Sequence, residues 1–410
     1  MRTTIVCAAL AFSARALAGG FEVYDQSASA TAMAGAVSAK TDEPAAIFYN
    51  PAAIAMRDGG SVLAGTTLVV ASFSSRALAP PQLTTDTSGG FAALPTVFAS
   101  AHVGPRLALG VGLFAPFGAK AQWNALASDG KSAFPGRFLA TNTQLQTAVI
   151  NPTVGFRASD RFAVAAGVDV MLASVELSRA VQFADVEGSA QLGGTATGVG
   201  FNFGVLVELV PDRVTAGLAY RSAIGLDFNS LQAHFVAPPE LRAEVFDQTG
   251  RTSLRMPHTV TLGLQTKPRD DLSITTDLHY ARWSEFREIS VTFPGSPTPG
   301  FAARQDWRDS VSARVGAEWL AWRGLALRAG IGYDLTPIPS STLAPTVPTG
   351  DLLILSAGAG YTWRGFGLAA GYVIGLGTSR SSTNPDYLAT YSSLIQALSI
   401  SLTYQWSRNF

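Results

Sequence analysis

The last residues of the chain alternate strictly between apolar and polar side chains. In the stretch LSISLTYQWSRNF, one face carries Leu398, Ile400, Leu402, Tyr404, Trp406 and Phe410, and the other carries Ser399, Ser401, Thr403, Gln405 and Ser407. Successive side chains of a β-strand point to opposite faces, so this pattern predicts a long strand with one apolar face. Strands of a soluble β-sandwich can alternate as well, but they turn the apolar face to a core and are rarely this long.

The same alternation recurs along the chain, for example in FGLAAGYVIGLG (366–377) and RFAVAAGVDVMLASVELSR (161–179). We count fourteen such segments, at 60–74, 91–103, 106–118, 143–157, 161–179, 198–210, 213–229, 254–266, 270–290, 304–321, 324–336, 350–363, 366–378 and 394–407. Short turns at 104–106, 158–160, 211–212, 267–270, 322–323 and 364–365 alternate with longer links. Short inner turns and long outer loops are typical of outer-membrane barrels with both termini in the periplasm.

Composition favours a membrane over water. Charged residues make up 14% of the chain, compared with roughly 25% in an average soluble protein. Beyond the first residues, no apolar run approaches the roughly twenty residues of a membrane helix. A closed barrel is the other fold that pairs every backbone group inside a bilayer. The sequence therefore predicts an all-β, 14-stranded antiparallel transmembrane β-barrel. Because the net charge is zero, no nucleic-acid partner is expected.

Residues 1–18 have the pattern of a signal peptide. Arg2 precedes an apolar run from Ile5 to Phe12, and Ala16-Leu17-Ala18 is a small-x-small cleavage sequence. We expect the mature chain to begin near Gly19. The only cysteine, Cys7, lies in this segment, so the mature chain is expected to have no thiol, disulfide or cysteine-based metal site.

Candidate catalytic residues are few. The four histidines are His102, His234, His258 and His279, and neither an HExxH nor a GxSxG motif is present. A Ser/His pair assembled in space, as in an outer-membrane phospholipase, is the remaining enzymatic alternative. We expect no enzyme activity, no metal and no cofactor.

Several charged side chains fall on the inward parity of their strands. They are Asp169, Arg179, Glu208, Arg221, Asp227, Asp277, Arg314, Glu318, Arg328 and Asp334. Polar groups are normal inside a barrel, so most are expected to be ordinary lumen residues that pair across strands or contact water.

Pro116 in GLFAPFGAK is unusual for a strand, because proline removes a ladder donor and is confined to edges, bulges or strand ends. With Gly118 close behind, it predicts a break in pairing that leaves a gap in the barrel wall. The alternative is that the strand ends at Phe114 and a loop begins.

Seven stretches along the chain carry specific motifs: GGFEVYDQSASATAMAGA, the Asn50-Pro51-Ala52 helix start, PFGAKAQW (116–123), GVDVMLASVELSR (167–179), YARWSEF with Trp283, Ser284 and Phe286, WRDSVSARVG (307–316) and LRAGIGYDLTPIP (327–339). Together they resemble the FadL-type outer-membrane transporters (OmpP1/FadL/TodX), which carry long-chain fatty acids or aromatic hydrocarbons. The chain departs from the family at DEPAAIFY before Asn50, and its N-terminal segment is about one residue shorter.

The resemblance implies an N-terminal hatch (19–59) that plugs a barrel formed by residues 60–410. In the family, a hydrophobic ligand settles among the outer loops and then enters an inner pocket. Movement of the hatch N-terminus, near Phe21 here, then opens a lateral path through a wall gap at Pro116, Phe117 and Gly118. Asn50, Pro51 and Ala52 are expected to form the scaffold of the hatch.

The resemblance also places Arg179 near a bound carboxylate, with a second basic residue on the strand opposite, Arg304 or alternatively Arg308. An ion pair of Arg179 with Asp169 or Glu176 is the structural alternative. Apolar loop residues form either a collecting groove or ordinary loop packing, namely Phe134, Phe138, Leu139, Phe235, Val236 and Phe246.

The expected function is passive, hatch-gated uptake of long-chain fatty acids or similar hydrophobic compounds across the bacterial outer membrane, with periplasmic termini. Alternatives are an aromatic hydrocarbon channel and a non-transporting structural or adhesive barrel. Expected partners are the hydrophobic ligand, outer-membrane lipid and lipopolysaccharide, and the barrel-assembly machinery through the terminal Phe410. A monomer is expected.

Overall fold

A computed structural model describes residues 19–183, 185–241, 245–296 and 300–407. The predicted signal peptide (1–18) and Phe410 lie outside the described residues, so both predictions stay predictions. Among the described helices, none is long and apolar enough to cross a bilayer.

Fourteen antiparallel strands, numbered here β1 to β14, form one closed barrel. Their bounds are β1 Gly60–Ala77, β2 Ala92–His102, β3 Leu107–Phe114 and Gly118–Gln122, β4 Asn142–Ser159, β5 Phe162–Phe183, β6 Val186–Val210, β7 Val214–Arg221 and Ile224–Val236, β8 Gln248–Met256 and Thr259–Arg269, β9 Leu272–Ala281, β10 Ser310–Trp322, β11 Leu325–Asp334, β12 Leu352–Trp363, β13 Phe366–Gly377 and β14 Ala389–Trp406. The predicted 14-stranded barrel is confirmed.

β1 and β14 close the barrel, pairing from Gly60 opposite Trp406 to Ala77 opposite Ala389. On β14, the apolar Leu402 is exposed to the outside and Ser401 is buried toward the lumen, as the alternation predicts. The short connections lie at one end of the barrel, called here the turn end, and the long connections lie at the other, called the loop end.

Several strands extend or stop where the pattern did not predict it. β6 begins at Val186 rather than near residue 198, because QLGGTATG lacks large side chains whose alternation could be read. β9 ends at Ala281 rather than near residue 290, since the chain then enters the helical turn Trp283–Glu285. Strand length beyond the membrane is therefore poorly encoded by hydrophobic alternation.

Asp227 was predicted to face the lumen, and this prediction is wrong. β7 is interrupted after Arg221, and both Arg221 and Ile224 are buried toward the lumen. The interruption shifts the side-chain parity by one residue, so Asp227 lies on the exposed face.

Short elements complete the described chain. The hatch holds helices α1 Ala28–Ala32 and α2 Ala46–Tyr49 and the 3₁₀ helix Pro51–Ala55. The loops hold the short strands Thr84–Asp86, Glu288–Val291, Phe301–Arg304 and Arg380–Ser381, and the 3₁₀ turns Pro135–Phe138, Pro239–Leu241 and Trp283–Glu285.

Residues 19–59 fill the lumen, where most of their side chains are buried. Glycines on the inner wall allow the hatch backbone to approach closely. A β-carbon on Gly371 would collide with the carbonyl oxygen of Ala28, and one on Gly217 would collide with that of Ser38. The hatch therefore packs directly against the wall rather than across a water layer.

Candidate functional site

Polar wall residues hold the hatch backbone in place. The Asp277 carboxylate accepts hydrogen bonds from the N–H groups of Val37 and Ser38 at 3.0 and 2.9 Å. The Ser401 hydroxyl accepts from the N–H of Ala28 at 2.9 Å. These bonds pair buried backbone donors that would otherwise lose their water partners.

Asn50 joins three parts of the molecule. Its side-chain oxygen accepts from the N–H of Ala52 at 3.2 Å, which caps the helix that starts at Pro51. Its amide donates to Ser38 O at 2.9 Å and to Val205 O of β6 at 3.0 Å. All of these bonds are internal to the plug and wall, so the predicted hatch residues Asn50, Pro51 and Ala52 lie in a scaffold position.

Most of the predicted lumen charges lie in ion pairs. The pairs are Asp169 with Arg221, Arg314 with Asp334, Glu318 with Arg328, and Glu318 with Lys40 of the hatch. Among the described residues there is no cluster of three or more His, Cys, Asp or Glu suited to a metal ion.

The strand β3 bulges where it breaks. Phe114 lies opposite Val149 of β4, and Gly118 lies opposite Gln146, so three residues of β3 face two of β4. Pro116 is the middle residue of the three and has no N–H to donate. An extra residue in one strand bends it and disrupts the ladder locally.

Hatch residues bind to this bulge. The N–H of Val23 donates to Pro116 O, and the N–H of Gly118 donates to Phe21 O, both at 2.8 Å. The hatch N-terminus therefore takes the place of a neighbouring strand for these backbone groups.

Side chains pair the remaining backbone groups of the bulge. The Gln26 amide donates to Ala115 O at 2.9 Å and accepts from its N–H at 3.3 Å. The Thr147 hydroxyl donates to Phe117 O at 2.6 Å and accepts from its N–H at 3.1 Å. Sequence reasoning missed Gln26 and Thr147. The only sequence feature that could have indicated them is a polar side chain, in the hatch for Gln26 and on the inner face of β4 for Thr147.

The barrel wall is interrupted beside the bulge. β2 and β3 stop pairing beyond Val97. Within the described part of the chain, residues 92–96 of β2 then pair only with β1, and Gly118–Gln122 of β3 pairs only with β4. Nearer the loop end, backbone hydrogen bonds between the 78–91 loop and residues 122–124 join the two sides again. The interruption in strand pairing is thus bounded at both ends, and the hatch is bound to its inner side.

A cavity of about 950 Å³ lies at the loop end. Its lining is mainly apolar and includes Leu139, Leu145, Val175, Leu177, Val181, Phe183, Leu192, Leu231, Phe235, Leu254, Phe286, Ile289, Val291, Phe293, Phe301 and Val347. Phe21 of the hatch also lines it. A cavity of this size and character fits a medium to large hydrophobic molecule.

Arg179 and Arg304, the two arginines preferred for the predicted ligand site, line this cavity. Arg179 lies on the inward face of β5, with its guanidinium 4.6 Å from the centre of the Phe301 ring. Among the described residues it has no ion-pair partner. The alternative partners are engaged elsewhere, since Asp169 pairs with Arg221 and Glu176 accepts from Asn142 at 3.0 Å.

Arg304 ends the short strand Phe301–Arg304 in the loop between β9 and β10. It is not part of a barrel strand opposite Arg179, because β10 begins only at Ser310. Its side chain is exposed and pairs with Asp306 at 2.6 Å. Arg308 is not part of the cavity lining; its N–H donates to Pro337 O at 2.8 Å.

Five of the six predicted apolar loop residues fall into three groups. Leu139 and Phe235 line the cavity. Phe134 is fully buried and stacks on Trp123 with ring centres 4.8 Å apart, so it packs the loop. Val236 and Phe246 are exposed.

Comparisons with known proteins agree with this architecture. The family model described as outer membrane protein transport protein (OMPP1/FadL/TodX) matches residues 9–392. The long-chain fatty acid transport protein of Salmonella typhi is 23% identical, with 88% of each chain covered. The 47 kDa outer membrane protein of Pasteurella multocida is 25% identical, with 87% of each chain covered.

Solved structures show the same fold. The crystal structure of a Pseudomonas aeruginosa FadL homologue superposes with a TM-score of 0.82 at 21% identity, covering 94% of this chain and 99% of that one. The Ralstonia pickettii toluene transporter TbuX gives 0.71 at 19% identity, covering 94% and 100%. Because the family model matches most of its length, the chain belongs to the outer membrane protein transport protein family (OMPP1/FadL/TodX).

Proposed function

We propose that this protein takes up hydrophobic compounds across the bacterial outer membrane by passive diffusion, with long-chain fatty acids as the leading substrate class. The observation that carries the proposal is the apolar cavity of about 950 Å³ next to a hatch whose end is bound to a wall interruption. The relatives named as long-chain fatty acid transport proteins support the substrate class.

The cavity at the loop end is the capture site. A fatty acid gains roughly 0.8 kcal/mol for each methylene group that leaves water. Arg179, which has no carboxylate partner among the described residues, supplies a cation for the acid head group. In a partly buried site, a charge-assisted hydrogen bond of this kind is stronger than in water.

The hatch end is the gate and the wall interruption is the exit. Phe21 lines the capture cavity, and the backbone of the same residue is bound to Gly118 at the interruption. Release of this segment would connect the cavity to the opening between β2 and β3. Sideways exit into the bilayer keeps the acyl chain out of water. Direct passage into the periplasm would expose the chain to water.

Uptake of radiolabelled oleate and toluene by proteoliposomes and by whole cells tests the proposal. We expect oleate to enter proteoliposomes faster than protein-free liposomes, and cells that carry the protein faster than cells that lack it. Entry of neither compound would contradict transport and favour a structural or adhesive barrel.

Aromatic hydrocarbons are the second candidate substrate class. Structural neighbours include toluene transporters, and several phenylalanines line the cavity. Preferential entry of toluene in the same assay would favour this class.

We further propose a monomeric, non-catalytic channel with periplasmic termini that contacts lipopolysaccharide and is assembled through its C-terminal signal. Chemical cross-linking in native membranes tests the monomeric state and the contact with lipopolysaccharide. Lipid-hydrolysis assays, with a His279→Ala control, test whether the channel is non-catalytic.

A further inference from the structure

Five aromatic side chains meet at the inner end of the capture cavity. They are Phe21 of the hatch, Phe117 of the bulge, and Trp283, Phe286 and Trp307 of the loop between β9 and β10. These five residues are called here the aromatic cluster. The ring of Phe21 lies 4.6 Å from Trp283 and 5.5 Å from Trp307, measured between ring centres. The two indole rings are 5.0 Å apart. Gly20 packs between them, since a β-carbon there would collide with both.

Both indole N–H groups of the cluster are buried without a hydrogen-bond partner among the described residues. Trp283 is 1% exposed and Trp307 is 3% exposed. Trp123, which is also buried, donates its indole N–H to Pro345 O at 3.0 Å. Buried donors are nearly always paired, so two unpaired donors in one cluster call for an explanation.

The cluster lies between two spaces. Phe21 and Phe286 line the capture cavity of about 950 Å³. Phe117 and the hatch residue Glu22 line a smaller inner cavity of about 50 Å³ beside the bulge. The aromatic cluster thus separates the capture cavity from the inner cavity beside the bulge. The ring of Phe21 occupies this position while its carbonyl is bound to Gly118.

We propose that the indole N–H groups of Trp283 and Trp307 form an acceptor-recognition site for an oxygen atom carried by the hydrophobic ligand, occupied when Phe21 withdraws. The inference rests on the proposed uptake function and narrows its substrate class. An indole is a donor only and carries no charge, so it binds neutral hydroxyl and carbonyl oxygens as well as carboxylates. Arg179 favours anions, whereas the indole pair selects any oxygenated chain over a plain hydrocarbon.

Indole NMR tests this directly. The full mature chain, labelled with ¹⁵N at the tryptophan indoles, is studied in detergent micelles with palmitate, 1-hexadecanol and hexadecane. Trp283→Phe and Trp307→Phe variants assign the two resonances. We expect both indole protons to move downfield with palmitate and hexadecanol but not with hexadecane, while the Trp123 resonance stays in place. A response to palmitate alone would restrict the site to carboxylates and overturn the neutral-oxygen part.

Affinity measurements separate this inference from the proposed function. Each Trp→Phe variant is expected to raise the Kd for hexadecanol about tenfold and that for hexadecane less than about twofold, with Trp123→Phe as the matched control. Binding of palmitate by the wild type without any indole shift would overturn the recognition site and leave uptake intact. Absence of palmitate binding and uptake would contradict the proposed function itself. The NMR response is read on the wild type, and where one variant fails to fold, the other still assigns its own resonance.

Discussion

The carbonyl of Phe21 accepts a hydrogen bond from the N–H of Gly118 at 2.8 Å, which joins the free end of the hatch to the broken strand of the barrel wall. Val23 and Pro116 make a second such bond of the same length. The proposed gate and the proposed exit are thus parts of one hydrogen-bonded unit, so movement of the hatch end would change the wall at the same time.

Gln26→Ala is expected to loosen this unit. The side chain makes two hydrogen bonds to Ala115, each worth about 1 kcal/mol. Loss of both predicts roughly tenfold or faster amide exchange in residues 19–26 and 115–118 by mass spectrometry. Ser356→Ala, which removes a hydroxyl donor to Ala32 elsewhere in the hatch, is the control and should leave both segments unchanged. Equal exchange in wild type and Gln26→Ala would show that the amide does not hold the gate.

Arg179→Ala is expected to weaken binding of oleate about tenfold, because the carboxylate loses a charge-assisted hydrogen bond. Binding of toluene, which has no charge, should change less than about twofold. Arg137→Ala is the matched control, since Arg137 pairs with Glu187 outside the cavity. Fluorescence competition measures both ligands, and equal losses for oleate and toluene would contradict a head-group role.

Asn50→Ala is expected to destabilise the scaffold of the hatch by about 1–2 kcal/mol through loss of the helix cap. It also leaves Ser38 O and Val205 O without a donor from this side chain. Amide exchange in residues 46–56 should rise, and liposomes should admit small sugars. Asn229→Ala, at an exposed position, is the control. Unchanged exchange would mean that the plug does not depend on this cap.

Gly118→Arg is expected to abolish oleate uptake, because its side chain would fill the interruption between β2 and β3. Heat-modifiable migration on gels checks that the barrel still folds. Gly104→Arg, in an open turn with no atom within 4 Å of the new β-carbon, is the control. A folded Gly118→Arg protein with wild-type uptake would refute the lateral exit.

The fold could be predicted because lipid and lumen impose a two-residue period on every strand. The same rule assigned Asp169 and Arg179 to the lumen. It failed for Asp227, since an interruption at residues 222–223 shifts the parity without any proline or glycine to signal it.

The site was only partly predictable. Pro116 predicted the bulge through its missing N–H donor. The residues that bind the bulge are distant in the chain and could not be predicted, since Gln26 and Ala115 are 89 residues apart. Arg304 was expected on a barrel strand and lies at the end of a short loop strand, because alternation does not report where a barrel strand begins. The unpaired indoles of Trp283 and Trp307 depend on three-dimensional packing and leave no pattern in the sequence.

Locking the hatch to the bulge tests the central claim most directly. Glu22 and Phe117 form an antiparallel bridge, and such pairs have Cα atoms about 4.5–5.5 Å apart, within the range of a disulfide. The Glu22→Cys, Phe117→Cys double variant, with each single variant as control, is assayed for uptake of labelled oleate before and after reduction. The account predicts that the oxidised double variant does not transport and that reduction restores transport. Wild-type uptake by the fully oxidised double variant would contradict it.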